Sequence, residues 1–240
     1  MIYYSVIRYG DDYISHHGIL GQKWGIRRYQ NYDGSLTAAG KKHYRNDSKK
    51  LSEDIYARYG RAEKVVTSQV KRAIEASGSK MYGLEHRQKT KESIARKIED
   101  DSKEKHISKE QAANEVKDAL RYTSIRDNKN FVNSYFKTKD ILQKLGYREI
   151  SCKNYFEKYK TGEAKHKQVT SVFENAIGMK FEIQFQTPES IDAKEKKTPV
   201  YEERRRPGLS ESRKAELEEQ MVQLMEPVPY PDDILEIKSH

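Results

Sequence analysis

Residues 181–187, Phe-Glu-Ile-Gln-Phe-Gln-Thr, carry the clearest chemical pattern in this sequence. Side chains alternate across a β-strand, so Glu182, Gln184 and Gln186 would share one face and the apolar residues the other. The apolar face can meet a core, while the polar face points a carboxylate and two amides at whatever covers the sheet. The pattern alone also fits an ordinary half-exposed strand.

A second set of candidate residues is basic. Residues 87–97 read Arg-Gln-Lys-Thr-Lys-Glu-Ser-Ile-Ala-Arg-Lys, within a helix predicted over 85–100. On a helix, Lys89, Ser93 and Lys97 are four residues apart and form one stripe. Two ammonium groups with a hydroxyl between them suit a polyphosphate. A solvated lysine-rich helix is the alternative.

Charged residues also mark the ends of two predicted strands. Asp118 precedes a strand over 119–125 that contains Arg121, and Lys153 follows a strand over 147–152. Carboxylates and ammonium groups at strand ends are the residue types that a phosphate or metal site uses. Each of them is also a common solubilising residue.

The order of these motifs resembles the synthetase domain of RelA/SpoT-type alarmone synthetases. Arg-x-Lys-x-x-x-Ser-Ile-x-x-Lys comes first, then Asp before a strand, then Lys-Asn-Tyr, then Glu-Ile-Gln-Phe-x-Thr, over about residues 80–205. The resemblance implies a nucleotidyltransferase-like core that binds ATP. The implied phosphate and charge-stabilising ligands are Arg87, Lys89, Ser93, Lys97, Arg121 and Lys153. The implied catalytic centre is Asp118 and Glu182 as magnesium ligands, with Glu182 as metal ligand or base and Gln184 in support.

The implied reaction transfers pyrophosphate from ATP to a ribose hydroxyl of GDP, GTP or a tRNA 3′ end, with Mg²⁺ as cofactor. Such a transfer needs in-line positioning, a divalent ion and cations on the oxygens more than covalent help from the protein. Magnesium is commonly held by one or two carboxylates together with substrate phosphates. Two acids and several cations supply that set.

The sequence departs from the family at the acceptor motif. The family has Gly-Tyr-x-Ser-x-His, whereas residues 164–172 read Ala-Lys-His-Lys-Gln-Val-Thr-Ser-Val. His166 then takes the place of the tyrosine that stacks on the acceptor base, and Gln186 stands where the family usually has arginine. Toxins that pyrophosphorylate tRNA resemble the same core, so the acceptor stays open. The alternative function is a catalytically inactive synthetase-fold module of a phage head or minor capsid protein.

The opening of the chain carries a different resemblance. Residues 17–41 are rich in glycine, aromatic and basic residues and look like a module of phage and prophage structural proteins of Gram-positive bacteria. The run Phe-Gln-Thr-Pro-Glu-Ser at 185–190 matches synthetase-like tails of phage minor head proteins. These likenesses imply phage head proteins as partners, through residues 16–45. A disordered basic tail is the alternative.

Composition narrows the class of protein. Among 240 residues, 35% are hydrophobic and 35% are charged, and the longest apolar runs are a few residues, which excludes a membrane span. The single cysteine, Cys152, excludes an internal disulfide and a multi-cysteine zinc site. Residues 1–7 lack the features of a secretory signal. Composition therefore predicts a soluble protein of a reducing compartment. The resemblances imply the cytoplasm of a bacterial host, or association with the virion.

Positive charge is concentrated in one segment. The net charge is +9, and residues 41–110 alone hold 19 basic and 12 acidic residues, a net +7. Such a segment attracts phosphates, of ATP or of tRNA, or simply keeps its helices solvated.

Periodicity predicts an α/β (α+β) fold, with a mixed sheet of about four to five strands flanked by helices. We expect an N-terminal arm (1–45), a polar helical linker (46–78), a synthetase domain (79–206) and a C-terminal helix with a proline-rich tail (207–240). The predicted helices are 47–76, interrupted at Gly60, then 85–100, 108–116, 131–145, 189–203 and 210–225. The predicted strands are 119–125, 147–152, 169–173 and 179–186.

Overall fold

The computed structural model describes residues 29, 31, 37–206 and 208–240. In these ranges helices flank one mixed sheet, which confirms the predicted α+β class and the four-to-five-strand sheet. Of the module predicted for residues 16–45, the structure describes residues 29, 31 and 37–45. A helix predicted from residue 47 already begins at Ala38. The rest of the module lies outside the described residues, so its role stays a prediction.

The strands of the described chain form one sheet in the order β1-β2-β5-β4-β3. They are β1 (Lys80–Tyr82), β2 (Arg121–Ile125), β3 (Tyr147–Asn154), β4 (Val169–Asn175) and β5 (Lys180–Gln186). Strands β2 and β5 are parallel, and the other neighbours are antiparallel. The parallel register sets Arg121 beside Glu182 and Thr123 beside Gln184.

The helices match the predicted set with one addition. They are α1 (Ala38–Ala76), α2 (Lys91–Glu104), α3 (Lys109–Asn114), α4 (Phe131–Lys144), α5 (Tyr155–Lys160), α6 (Pro188–Arg204) and α7 (Glu211–Met225). Single 3-10 turns lie at Leu84–His86, Asn128–Asn130 and Ile234–Glu236. Periodicity missed α5 and β1, because six and three residues are too few to establish a repeat.

The predicted break at Gly60 is wrong, because helix α1 continues through this residue. A glycine inside a helix costs roughly 1 kcal/mol relative to alanine, which tertiary packing of the apolar face offsets. That face is buried in the main core through Ile55, Tyr59, Val66, Val70, Ala73 and Ile74. The segment that sequence reasoning assigned to a linker therefore packs on the same core as the sheet.

Helix α2 begins six residues later than predicted. Thr90 accepts a hydrogen bond from the Ser93 amide and caps the helix, so the helix starts at residue 91. Before it, Gln88 forms an isolated bridge with Leu120, and the Lys89 amide donates to the Ala119 carbonyl at 3.0 Å. Lys89 therefore lies beside the start of β2 and not on a helical stripe with Ser93 and Lys97.

Strand β5 shows the predicted alternation. Phe181, Ile183 and Phe185 are buried in the core, and the ring of Phe181 makes an edge contact with Tyr122 at 5.9 Å between centroids. The glutamate and glutamines lie on the opposite face. The strand thus separates the hydrophobic core from a polar surface.

The C-terminal segment also joins the core. Ile234 and Ile237 belong to the main hydrophobic cluster. The amide of His240 donates to the carbonyl of Cys152 at 2.9 Å, and the amide of Cys152 donates back at 3.0 Å. The last residue therefore pairs with the outer edge of β3, outside the five-stranded sheet. Within the described ranges, no helix has the length and apolar content needed to cross a bilayer.

If α1 is part of the core, truncating its buried face must destabilise the whole unit. We expect Val70→Ala, at a fully buried position, to lower the free energy of unfolding by about 2 kcal/mol through lost burial and a residual cavity. The matched control is Val65→Ala on the same helix, where the side chain is 62% exposed. We expect that change to be neutral or slightly stabilising, because alanine is the better helix former. Chemical denaturation measures both, and equal effects would contradict the packing of α1 on the core.

Candidate active site

The polar face of β5 forms a hydrogen-bonded row. Gln184 donates from Nε2 to Oε1 of Glu182 at 2.8 Å, and Gln186 donates from Nε2 to Oε1 of Gln184 at 3.4 Å. Both glutamines are buried, at 8% and 1% exposure. Because their partners fix them, the row presents the Glu182 carboxylate in one orientation.

Asp118 is brought to Glu182 by the parallel pairing of β2 and β5. The amide of Glu182 donates to the carbonyl of Leu120 at 3.0 Å, two residues after Asp118. Both carboxylates line one cavity of about 600 Å³, which we call the acidic cleft. The structure therefore brings together the two acids that sequence reasoning predicted as a pair.

The environment of Glu182 disfavours its charge. Burial, followed by the nearby charge of Asp118, raises the pKa of this carboxyl. The hydrogen bond from Gln184 and the charges of Arg121 and Lys89 act in the opposite direction. A carboxylate with a raised pKa accepts a proton more readily at neutral pH, which is the property that a general base requires.

Asp118 carries the donor set that a divalent cation needs. Its Oδ2 is ion-paired with Lys89, while its Oδ1 is buried and has no hydrogen-bond partner among the described residues. An unpartnered, buried carboxylate oxygen in a cavity that a second carboxylate also lines fits Mg²⁺, which uses few protein ligands. The described residues contain no group of three or more His, Cys, Asp or Glu side chains that would hold a metal alone.

Cations surround these acids in the acidic cleft. Its lining includes the lysines Lys97, Lys105, Lys117 and Lys153. Lys97 is 3.5 Å from the carboxylate of Asp101, whereas Lys117 and Lys153 enter no ion pair within the described part of the chain. Two lysines are thus available to an anionic ligand, of which sequence reasoning named only Lys153.

The basic motif at 87–97 is divided by the structure. Lys97 lines the acidic cleft and Lys89 pairs with Asp118. Arg87 is instead ion-paired with Glu63 of α1 and donates to the Leu84 carbonyl at 2.9 Å. The amide of Ser93 is bound by Thr90 at the start of α2. Arg87 and Ser93 are not among the lining residues, so their predicted phosphate contacts are not built into this geometry.

A second cavity, of about 250 Å³, adjoins the row of glutamines, and we call it the basic pocket. Its lining includes His166, Gln184 and Arg121. Arg121, predicted as an ATP phosphate ligand, is not among the lining residues of the acidic cleft. Lys194 and Lys197 of α6 also line it, and sequence reasoning missed both. Their spacing of three places them on one side of the helix that follows the Thr-Pro-Glu-Ser run. This spacing is the feature of the sequence that could have indicated a basic face there.

His166 lies against an aromatic partner at the basic pocket. Its ring centroid is 4.1 Å from that of Tyr155, a residue of the acidic cleft. Burial, followed by the charges of Lys197 and Lys194, lowers the pKa of His166 to about 4. The ring is therefore neutral at pH 7. A neutral imidazole suits stacking on a nucleobase better than pairing with a phosphate.

Comparison with known proteins gives likenesses of structure only. No protein-family model matches the chain, and no curated protein matches its sequence. One similar structure is the type VI effector Tas1 in complex with its immunity protein, at 17% identity and TM-score 0.45, covering 73% of this chain and 94% of that one. Another is small alarmone synthetase 1 from Bacillus subtilis bound to its product pppGpp, at 15% identity and TM-score 0.46, covering 70% and 87%. A GTP pyrophosphokinase family protein from Streptococcus pneumoniae has 17% identity and TM-score 0.45, covering 79% and 89%.

The raised pKa of Glu182 predicts a pH-dependent cost to stability. The folded state holds the Glu182 proton more tightly than the unfolded chain does. The contribution of Glu182 to the free energy of unfolding is therefore greatest below the ordinary carboxyl pKa of 4.5, and it is lost as the pH rises through the raised value. We expect Glu182→Gln to raise the Tm at pH 8 and to leave it unchanged near pH 4, since glutamine can still accept the bond from Gln184. Thermal unfolding at both pH values measures this. Glu174→Gln, on the ion-paired end of β4, is the control in which no pH 8 gain is expected.

The environment of His166 predicts an imidazole that resists protonation. We expect its ring signals in a ¹⁵N–¹H NMR titration to stay those of the neutral form until the pH approaches 4. A midpoint for His166 at the ordinary histidine value of about 6.5 would contradict the packing described.

Proposed function

We propose that this protein is a Mg²⁺-dependent pyrophosphokinase that transfers pyrophosphate from ATP to a ribose hydroxyl of a guanine nucleotide or of a tRNA 3′ end. The observation that carries the proposal is the Asp118–Glu182 pair in the lysine-lined acidic cleft, next to a second pocket lined by cations. Phosphoryl-group transfer needs this combination of positioning and charge. The order of the motifs over residues 80–205 supports it independently.

In this proposal the acidic cleft receives the triphosphate of ATP. Asp118 would hold Mg²⁺, with Glu182 as its second ligand or as the base, and the ion would neutralise charge on the phosphate oxygens. Lys117 and Lys153 carry no ion pair in the described chain and would meet phosphate oxygens directly. Lys97 would do so in competition with Asp101.

Glu182 is the proposed general base. Its carboxylate takes the proton of the acceptor hydroxyl as the hydroxyl oxygen attacks the β-phosphorus of ATP. The bond between the β-phosphorus and the oxygen bridging to the α-phosphate breaks, and AMP leaves with that oxygen. The pyrophosphoryl group is then esterified to the ribose, so atoms and charge balance.

The basic pocket is the proposed acceptor site. It adjoins the row that presents Glu182, so an acceptor bound there has its hydroxyl near the base. In the described chain its lining contains Arg121, Lys194 and Lys197 and no carboxylate, which favours an acceptor with phosphates. The neutral ring of His166 offers an apolar surface to the nucleobase of the acceptor, in place of the tyrosine of the family motif.

The biological setting is a separate part of the proposal. Residues 16–45 and 185–190 resemble phage structural proteins, and we propose phage head proteins as partners and the host cytoplasm or the virion as location. A synthetase-fold module without activity is the rival to the enzyme. It predicts that replacing Glu182 changes no phenotype.

Product analysis tests the activity. We expect purified protein with Mg²⁺ and labelled ATP to release AMP and label a guanine nucleotide or tRNA in a mixed pool of acceptors. Glu182→Gln should lower the rate at least ~10²-fold, the usual contribution of a positioned base. Glu174→Gln, away from both cavities, should keep the wild-type rate.

The contrary outcome is equally definite. If the wild-type protein binds ATP but labels no nucleotide and no tRNA, the inactive-module alternative replaces the enzyme. Loss of activity in both glutamate variants would point to damage to the fold instead of loss of a base.

A further inference from the structure

Lys194 of α6 is linked to Glu182 through the side chain of Gln184. Lys194 donates from Nζ to Oε1 of Gln184 at 2.9 Å, and Gln184 donates from Nε2 to Oε1 of Glu182 at 2.8 Å. We propose that Lys194 is a positioning residue, which holds the Glu182 carboxylate in its reactive orientation by fixing the Gln184 amide. The kinetic part of this inference rests on the proposed function, and the spectroscopic part does not.

The chemistry of an amide makes this relay directional. A glutamine side chain has a donor end and an acceptor end, whereas an ammonium group only donates. Lys194 therefore selects the orientation in which Oε1 of Gln184 faces α6 and Nε2 faces Glu182. The other donor to the same oxygen, Gln186, is farther away at 3.4 Å. Without the ammonium, the amide can turn its oxygen toward the carboxylate, and Glu182 loses its hydrogen bond.

The backbone that carries Lys194 is held in place. Helix α6 starts directly after β5 with a reciprocal cap, in which Thr187 and Ser190 each accept a bond from the other's amide, at 3.1 and 3.0 Å. Both cap residues are buried. Ala193 packs with Met225 and Val228 in a small second cluster. The first turns of α6 are thus fixed to β5 by the cap and to the end of α7 by the packing of Ala193.

Charge adds to the effect of geometry. The charged groups that face Lys194 are Arg121 from β2, Glu182 from β5, and Glu195 and Lys197 from α6 itself. Burial and the charge of Arg121 lower the pKa of Lys194 to about 8. At pH 7 the ammonium is largely protonated, and it favours the ionised form of Glu182 against the repulsion from Asp118.

The first experiment follows the Gln184 amide without turnover. In the full chain without nucleotide, at pH 7, the side-chain ¹⁵N–¹H signals of Gln184, assigned by their loss in Gln184→Leu, report how the amide is held. We expect Lys194→Met to shift these signals and to speed their exchange with solvent, because the amide is then free to turn. Lys194→Arg, which keeps a charged donor, should stay near wild type. Lys196→Met is the matched control, because Lys196 is exposed and paired with Asp192 at 2.6 Å. If Lys194→Met unfolds, Lys194→Ala replaces it. Unchanged Gln184 signals in the folded Lys194 variant would overturn the proposal.

The second experiment separates positioning from ligand binding. We expect Lys194→Met to lower kcat by about 10- to 100-fold, the worth of a hydrogen bond to a charged group, while the KM for ATP changes little. A loss confined to the KM of the acceptor would overturn the proposal and make Lys194 an acceptor ligand. An inactive wild type would contradict the proposed function alone, because the amide spectra would still decide the role of Lys194.

Discussion

Electrostatic repulsion between two carboxylates is the constraint around which the site of this protein is arranged. Asp118 and Glu182 line one cleft because β2 and β5 run parallel and in register. Burying two like charges together is costly unless cations and hydrogen bonds compensate them. Lys89 pairs with one carboxylate and Gln184 donates to the other. The compensation is incomplete, since burial, and after it the charge of Asp118, keep the pKa of Glu182 raised. Such a residual cost is typical of positions shaped by chemistry more than by stability.

The rest of the molecule supports this pair from two sides. On the apolar face of the sheet, α1 and the C-terminal segment complete the core, so the strands that carry the acids rest on a packed surface. On the polar face, α6 leaves β5 through a buried cap and returns Lys194 to the row. The row itself joins the acidic cleft to the basic pocket. A ligand in the acidic cleft therefore meets Glu182 directly, and Gln184 lies between Glu182 and a ligand in the basic pocket.

Much of the fold could be read from local pattern. Alternation at 181–187 predicted the two faces of β5, and helical spacing predicted α4, α6 and α7 nearly to their ends. The errors occurred where local preference and packing disagreed. Gly60 favours a break, but the buried face of α1 offsets its cost. Lys89 matches a helical repeat, but Thr90 caps the helix after it. The phosphate-binding role predicted for Arg87 meets the same difficulty, because its guanidinium is ion-paired with Glu63 of α1.

The sequence by itself determined which residues could do the chemistry, because side-chain type and the periods of strand and helix are local properties of the chain. It placed Glu182 and Gln184 on one face and named Asp118 as their partner through a family resemblance. Only the tertiary structure decided that these groups meet, and that Lys194 joins them while Arg87 does not. Such contacts depend on strand order, on register and on how a helix packs back on its strand. No repeat within a short segment encodes these relations, since they arise from burial shared by residues that are distant along the chain.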